Sequence, residues 1–341
     1  MQPLVYFYPE GHEAHRQAGH PERPERVEAI KAALRQAGWW EDFPKLAAAP
    51  ISPEVLQTVH HPAYLSMLRQ TCQRGGQIDG DTYTTPASWQ IAQQSAGGAI
   101  AAALAVWRGE AQRGMALCRP PGHHAIHGQG MGFCLLNNIA LAAETLIQNE
   151  AAQKLAIVDL DLHHGNGSEE IFWQRQDVFF LSVHQSPLYP FSGRLDETGG
   201  GRGEGYSANF PMPPGSGDEA YSKVMDELIL PLLERYKPQM ILVSYGFDTH
   251  WRDPLGSLLL SARAYGQLIS RLTAWADAHA GGRISVFLEG GYDLEAAAAC
   301  SQAVAAALLG RPWDDPLGPA PESEGTLWRK MVARARSLWN I

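Results

Sequence analysis

The residues best suited to chemistry in this chain follow a short aliphatic run. Leu155–Val158 is typical of a buried β-strand, and the positions after it alternate as Asp159, Asp161 and His163 with leucines between them. Because residues two apart in an extended chain point to the same side, the two acids and the histidine are predicted to share one wall while the leucines face the interior. The pattern thus places two carboxylates and an imidazole together.

Such a wall needs a positive charge, because buried carboxylates without a partner are costly. A bound divalent cation is the simplest source of that charge. Oxygen and imidazole ligands without thiolate suit zinc, with manganese and iron as rivals. The alternation does not decide which two of the three residues are ligands, and the alternative interpretation is an ordinary strand end with solvated charges.

Length and composition narrow the function classes. The 341 residues carry 27 Lys and Arg against 36 Asp and Glu, a net charge of −9 without a basic block, which argues against nucleic acid or an anionic membrane as the main partner. The four cysteines are scattered, which predicts reduced thiols rather than disulfides. No apolar run reaches membrane-spanning length and no signal-peptide pattern opens the chain, so we expect a cytoplasmic enzyme.

Alternating strand and helix patterns indicate an α/β fold. Helical patterns cover Asn137–Gln148, Asp218–Tyr236 with a bend at Pro231, and Ala262–His279. The predicted strands are Leu4–Tyr8, Met115–Cys118, Leu155–Val158, Val178–Val183, Met240–Ser244 and Ile284–Leu288. We expect a single domain over residues 1–341, a parallel sheet flanked by helices, with residues 311–341 as a C-terminal extension packed on it.

Polar segments follow five of these strands, at the edge where ligands gather in parallel sheets. The segments are RPPGHH (119–124), DLDLHHGNG (159–167), SVHQ (182–185), SYGFD (244–248) and EGGYD (289–293). Asp248 offers a third metal ligand that leaves an open position for water. His123 and His124 suit general acid and base catalysis, and Tyr292 suits hydrogen bonding to a developing oxyanion, although a tyrosine considered alone is more often an interior aromatic.

Together these segments resemble the zinc-dependent histone deacetylase family, whose bacterial members are histone-deacetylase-like amidohydrolases and acetylpolyamine amidohydrolases. The motifs that carry the resemblance are HPERPER (20–26), RPPGHH (119–124), GFCLLNN (132–138), DLDLHHGNG (159–167), GFD (246–248), DPL (253–255) and EGGY (289–292). The resemblance covers the chain from His20 to about Gly310. Asn166 and Glu289 place it nearer class II, and the fold implied is the arginase–deacetylase fold.

The resemblance implies a role for each residue of the site. Asp161, His163 and Asp248 would hold Zn²⁺, with Fe²⁺ as an alternative. Asp159 would orient His123, and the neutral Asn166 would be the partner of His124, which should leave His124 easier to deprotonate than an Asp would. Tyr292 would polarise the acyl carbonyl together with the metal.

Further residues follow from the same resemblance. Gly132, Phe133 and Tyr189 would wall a narrow acyl-lysine channel, although the family more often has Phe at the position of Tyr189, and Leu255 would lie at its rim. Arg23 would line a cavity through which acetate leaves. Backbone oxygens would hold structural K⁺ at an inner site of Asp159, Asp161, His163, Ser182 and Val183, and at an outer site of Phe172, Arg175, Val178 and Tyr206.

The expected substrate is acyl-lysine in a peptide or protein, because the apolar Leu255 stands where a polyamine-selective relative carries Glu. The runner-up is an acetylpolyamine. A different class, a module that binds acyl-lysine without hydrolysing it, is opposed by the presence of Tyr292. A manganese ureohydrolase would need a binuclear cluster with more acidic ligands, and a homo-oligomer is compatible with the sequence.

Overall fold

The structure is a computed structural model that describes residues 1–341. Ten strands form an eight-stranded sheet and a separate two-stranded one. The strands are β1 (Val5–Phe7), β2 (Lys45–Leu46), β3 (Gly76–Gln77), β4 (Tyr83–Thr84), β5 (Arg113–Ala116), β6 (Leu155–Asp159), β7 (Val178–Gln185), β8 (Ser207–Met212), β9 (Met240–Tyr245) and β10 (Ile284–Leu288).

Eleven α-helices accompany the strands. They are α1 (Glu25–Gln36), α2 (Pro53–Gln57), α3 (Pro62–Arg74), α4 (Ser88–Trp107), α5 (Asn138–Glu150), α6 (Asn166–Phe172), α7 (Asp218–Val224), α8 (Leu230–Tyr236), α9 (Ala262–His279), α10 (Leu294–Leu309) and α11 (Trp328–Trp339). A π-helical turn, Met225–Ile229, joins α7 to α8. None of the helices combines the length and the hydropathy that a membrane span requires.

The large sheet is parallel throughout, in the order β2-β1-β5-β10-β9-β6-β7-β8. Strand β6 explains why both faces are covered. Its side chains alternate, so Leu155 and Ile157 pack with α4 and α5 on one face, while Ala156 and Val158 pack with α9 and α10 on the other. A continuous apolar run is what a strand buried on both faces requires.

The predicted parallel sheet flanked by helices is confirmed, and all six predicted strands are present. Two strands of the large sheet were missed, and so were the two-residue strands β3 and β4 of the small sheet. β2 has only two residues, and β8 contains Pro211 and shows no regular alternation. β8 lies at the edge of the sheet, where proline is tolerated. The predicted bend near Pro231 takes the form of the π-turn just before that residue.

The sheet order explains how distant segments meet. The five strands β5, β10, β9, β6 and β7 are neighbours in the sheet, and they are the strands that precede or contain the five polar segments. All their carboxyl ends therefore open on one edge, as the sequence predicted. At the far end of the sheet, α11 buries Trp328, Met331 and Trp339 next to the edge strand β8. The four cysteines are buried and unpaired.

Candidate active site

Asp161, His163 and Asp248 form a compact group beyond the carboxyl ends of β6 and β9. The Nδ1 atom of His163 lies 3.2 Å from Oδ1 of Asp161 and 3.2 Å from Oδ2 of Asp248. One potential ligand atom from each residue lies within 4.8 Å of the other two. Both acids are buried, with 1% of each exposed. Three donor atoms at this spacing can contact a single cation.

The surroundings of this group favour a positive charge. Oδ2 of Asp248 is buried and has no hydrogen-bond partner. Burial and the charge of Asp161 together raise the pKa of Asp248 to about 7, against the lowering effect of the nearby His163. Even with Nδ1 of His163 3.2 Å from this oxygen, two buried carboxylates this close together are costly unless a cation binds both. Two carboxylates and one imidazole nitrogen therefore fit a divalent ion such as zinc.

Backbone N–H groups fix the two carboxylates. Gly290 N donates to Oδ2 of Asp161 at 2.8 Å, and Leu162 N donates to Oδ1 of Asp248 at 3.1 Å. A Cβ atom at Gly246 would lie 1.8 Å from Oδ2 of Asp161, and one at Gly290 would lie 2.2 Å from Oδ2 of Asp248. Only glycine permits so close an approach, which explains Gly246 in the GFD segment and Gly290 in the EGGY segment.

The paired histidines lie beside this group. Their ring centroids are 4.0 Å apart, and the ring of His124 is 5.8 Å from that of His163. Nδ1 of His123 lies 3.0 Å from Oδ2 of Asp159, and Nδ1 of His124 lies 2.8 Å from Oδ1 of Asn166. The two residues therefore have different partners, one an acid and the other a neutral amide.

The pKa values of the two histidines shift in opposite directions. Burial lowers the pKa of His123, but the charges of Asp159 and Asp161 more than offset it and raise that pKa to about 10. Burial, aided by the proximity of His123, holds the pKa of His124 well below its usual range. A cation bound by Asp161 would weaken part of the effect on His123, whereas the contact with Asp159 would remain.

Glu289 supports the turn that carries the histidines, and the sequence reasoning gave it no role. Its Oε2 atom accepts from the backbone N–H groups of Gly122 at 2.6 Å and His123 at 3.1 Å, and its Oε1 atom accepts from Ser244 Oγ at 2.9 Å. The side chain is fully buried. The available signal was a lone acid directly after an apolar strand, in the position before Gly290.

Tyr292 is held between the buried acids and the wall of the predicted channel. Its backbone N–H donates to Oδ2 of Asp253 at 2.6 Å, and its ring packs edge-on against Phe133 at 5.8 Å. Burial raises the pKa of the phenol well above its usual range; the nearby Arg26 lowers it, and the charges of Asp248 and Asp161 raise it. The phenol therefore stays protonated and can donate a hydrogen bond.

Phe133 and Tyr189 lie on the solvent side of the buried group. The ring centroid of Tyr189 lies 5.3 Å from that of His124 and 6.2 Å from that of His163. The hydroxyl of Tyr189 has no hydrogen-bond partner. Gly132 has φ 55°, and a Cβ atom there would lie 2.5 Å from the ring of His124. Leu255 is half-buried next to the exposed Pro254. This arrangement brings the predicted channel residues close to the histidines.

Arg23 does not lie among the buried residues of the candidate active site. It is exposed in the loop before α1, whereas Arg26, three residues later, is buried with 1% exposed. The guanidinium of Arg26 donates to the carbonyl oxygens of Gly291 and Glu289, each at 2.5 Å, and lies 4.8 Å from the centroid of the Tyr292 ring. The arginine behind the site is therefore Arg26, because it falls on the buried face of the helix.

A buried ion network extends behind Arg26. Oε1 of Glu22 lies 3.2 Å from Nη1 of Arg26 and accepts from Nε of Arg119 at 2.8 Å. Burial alone would raise the pKa of Glu22, but Arg119 and Arg26 hold it near 2. Arg119 also donates to the carbonyls of His12 and His15, each at 2.7 Å. The sequence reasoning missed this network, because its members are separated along the chain.

The residues of the two predicted potassium sites lie near β6, β7 and β8. Asp159 pairs in register with Ser182, which brings the inner-site residues to adjacent strand ends. In the outer set, the guanidinium of Arg175 lies 5.5 Å from the ring centroid of Phe172, and Tyr206 O accepts from Phe180 N, two residues after Val178.

Comparisons with known proteins agree with this geometry. A sequence model described as the histone deacetylase domain matches residues 20–308. The chain is 41% identical over 314 residues to a probable deacetylase of Archaeoglobus fulgidus, covering 91% of this chain and 87% of that protein. It is 39% identical over 296 residues to the histone deacetylase-like amidohydrolase of Pseudomonas aeruginosa, covering 86% and 78% respectively.

A solved structure shows the same architecture. The crystal structure of the HDA15 HD domain superposes with a TM-score of 0.90 at 33% sequence identity, covering 99% of this chain and 94% of that one.

Proposed function

Since this chain belongs to the histone deacetylase family and is a hydrolytic deacetylase, we propose that it hydrolyses the side-chain amide of acetyl- or longer acyl-lysine in peptides or proteins. The observation that carries the proposal is the convergence of Asp161, His163 and Asp248 within 4.8 Å, beside the paired histidines. The reaction consumes water and gives a free lysine and a carboxylate.

We assign Asp161, His163 and Asp248 as ligands of Zn²⁺, with Fe²⁺ as the alternative. The donor set and the unpartnered Oδ2 of Asp248 support this assignment. A bound zinc ion would polarise the acyl carbonyl and acidify the attacking water. The remaining roles fall to side chains of this chain, and each can be argued from its contacts.

His124 is assigned as the base. Its Nδ1 atom contacts the amide oxygen of Asn166, so Nδ1 carries the proton and Nε2 keeps a lone pair that can accept one. His123 is assigned as the positively charged partner, because Asp159 holds the imidazolium form. The pair can take a proton from water and return one to the leaving amine.

Tyr292 is assigned as the donor to the developing oxyanion. Its raised pKa keeps the phenol protonated at neutral pH, and the packing of its ring against Phe133 supports a position beside the proposed channel, where a substrate carbonyl would lie. Gly132, Phe133 and Tyr189 are assigned as the channel walls and Leu255 as a rim residue.

Two supporting assignments remain. Arg26, rather than Arg23, is assigned to the acetate-exit role, since Arg26 is buried and donates to the carbonyls of Glu289 and Gly291. Structural K⁺ is assigned mainly to backbone oxygens of Asp159, Asp161, His163, Ser182 and Val183, and the paired strand ends support this grouping.

We further propose that residues 1–341 act as one domain, with 311–341 as its C-terminal extension.

The direct test is acetate release from an acetyl-lysine peptide by enzyme of known zinc content. We expect one acetate per lysine produced. If the protein were instead a module that binds acyl-lysine without hydrolysing it, the zinc-loaded protein would bind the peptide but release no acetate.

Acetylpolyamine is the second candidate substrate, and one observation favours it. Two acids, Asp79 and Asp81, lie close enough to the channel wall to contribute, after burial and Cys134, to the raised pKa of Tyr189. The same loop contacts Phe133, whose backbone N–H donates to Thr82 Oγ1 at 3.0 Å. Acids there would attract a cationic substrate. A kcat/KM for acetylspermidine about two orders of magnitude above that for the peptide would reverse our ranking.

A further inference from the structure

A cavity opens beside the residues of the predicted acyl-lysine channel. It has a volume of about 510 Å³ and lies between the loop of residues 16–25 on one side and Pro254 and Tyr292 on the other. We call it the side cavity. A volume of this size is ample for a side chain or a short segment of a peptide.

The side cavity and the channel share a wall. Tyr292 lines the cavity, and its ring packs edge-on against Phe133 of the channel, with 5.8 Å between the ring centroids. His20 also lines the cavity, and its ring lies 4.6 Å from Phe133. Pro254, at the cavity edge, directly precedes the rim residue Leu255. Because adjacent Cα atoms are about 3.8 Å apart, residues next to an acyl-lysine in the channel can reach this cavity.

The charges that line the side cavity leave one cation without a partner. Arg16 forms an ion pair with Glu25. His20 has both ring nitrogens engaged, since Nδ1 accepts from Glu22 N at 3.1 Å and Nε2 donates to Asp81 O at 2.9 Å. Arg23 is exposed and makes neither an ion pair nor a side-chain hydrogen bond. Its guanidinium is therefore the uncompensated charge of the cavity.

From this arrangement we propose that the side cavity binds an acidic side chain adjacent to the acyl-lysine, with the Arg23 guanidinium as its partner. The inference rests on the proposed function, and it specifies the substrates as acyl-lysine peptides with a neighbouring Glu or Asp. A guanidinium binds a carboxylate through two parallel N–H donors, which gives orientation as well as attraction. Neither Asp79 nor Asp81 lines the cavity, so the acids near Tyr189 do not occupy this position.

The test compares acetyl-lysine peptides that differ only in the residues flanking the lysine, which are Glu, Gln or Lys. For the wild-type enzyme we expect kcat/KM for the Glu peptide to exceed that for the Lys peptide by about two- to fivefold at low salt, as for a partly exposed ion pair. The preference should shrink in about 0.5 M salt, because screening weakens exposed charge pairs.

Arg23→Glu should invert the ratio, so that the Lys peptide becomes the better substrate. The matched control is Arg329→Glu, which makes the same charge change at an exposed arginine on α11 and should leave the wild-type ratio unchanged. Equal rates for the three peptides, a wild-type preference for the Lys peptide, or a Glu preference that survives Arg23→Glu would each overturn the proposal.

Failure of the proposed function gives a different result. If no peptide releases acetate, the binding of fluorescently labelled peptides, measured by anisotropy, still reports the charge preference. Tighter binding of the Glu peptide, lost in Arg23→Glu, would retain the side-cavity assignment, whereas equal binding of all three peptides would refute it.

Discussion

Nδ1 of His124 lies 2.8 Å from Oδ1 of Asn166. An amide oxygen can only accept, so this contact places the proton on Nδ1 of His124 and leaves its Nε2 free as a base. The adjacent His123 contacts a carboxylate instead. We propose that these two imidazoles, with partners of different charge, take different roles, one accepting a proton and the other donating one.

Asn166→Asp should raise the pKa of His124, because a carboxylate in place of the amide stabilises the imidazolium. The base must be neutral to accept a proton, so we expect the acid limb of the kcat/KM profile to move to higher pH. The measurement is a pH–rate profile with an acetyl-lysine peptide. An acid limb that stays in place would contradict the assignment of His124.

Tyr292→Phe removes the phenol that we assign to the oxyanion and leaves the three metal-ligand candidates intact. We expect kcat to fall by roughly a hundredfold or more, in line with the loss of one preorganised donor. Zinc content, measured by mass spectrometry, should remain at the wild-type level. A variant with full kcat would remove Tyr292 from the mechanism.

His163→Ala should lose the metal outright, because two ligands cannot replace three and the two buried carboxylates then repel each other. Metal analysis after dialysis checks this outcome, with Tyr292→Phe as the matched control. If both variants lost zinc to the same extent, the division of roles between His163 and Tyr292 would be wrong.

Local periodicity predicted only part of the arrangement of Asp159, Asp161 and His163. The alternation of Asp159, Asp161 and His163 predicted one shared wall, and the leucines between them are buried as expected. Strand β6 ends at Asp159, however, and the side chain of Asp159 contacts His123. Asp161 and His163 lie beside Asp248 instead. Local periodicity cannot choose between these partners, since the choice depends on which strands are neighbours in the sheet.

The position of the buried arginine was also beyond local reasoning. Arg23 and Arg26 share one charged motif, but Pro24 precedes the first turn of α1, so that only Arg26 lies on the helix. There it shares the buried face with Ile30 and Ala33. By contrast, the five polar strand ends were predictable, because parallel strands bring their carboxyl ends to one edge whatever their order.

Glu22→Gln should lower the free energy of unfolding by about 3 kcal/mol at pH 7, because it leaves Arg26 and Arg119 buried without their counter-charge. The pKa of Glu22 is near 2 in the folded state, against 4.5 as its ordinary value. The charged form therefore stabilises the fold above about pH 4.5, and this contribution is lost as the pH falls toward 2.

Urea denaturation at several pH values checks this prediction. The difference between wild type and Glu22→Gln should be largest near neutral pH and should narrow below about pH 4.5. Glu227→Gln is the control, since Glu227 forms a surface pair with Lys223, and we expect it to cost less than about 1 kcal/mol. A constant difference across the pH range would show that the charge of Glu22 does not stabilise the fold.

The central claim is that Asp161, His163 and Asp248 together hold one catalytic cation. The most direct measurement is titration of the metal-free protein with zinc while acetate release from an acetyl-lysine peptide is recorded. We expect activity to rise in proportion to added zinc and to reach its plateau at one ion per chain. Activity that needs two ions per chain, activity without any metal, or a zinc-loaded protein that releases no acetate would contradict the claim.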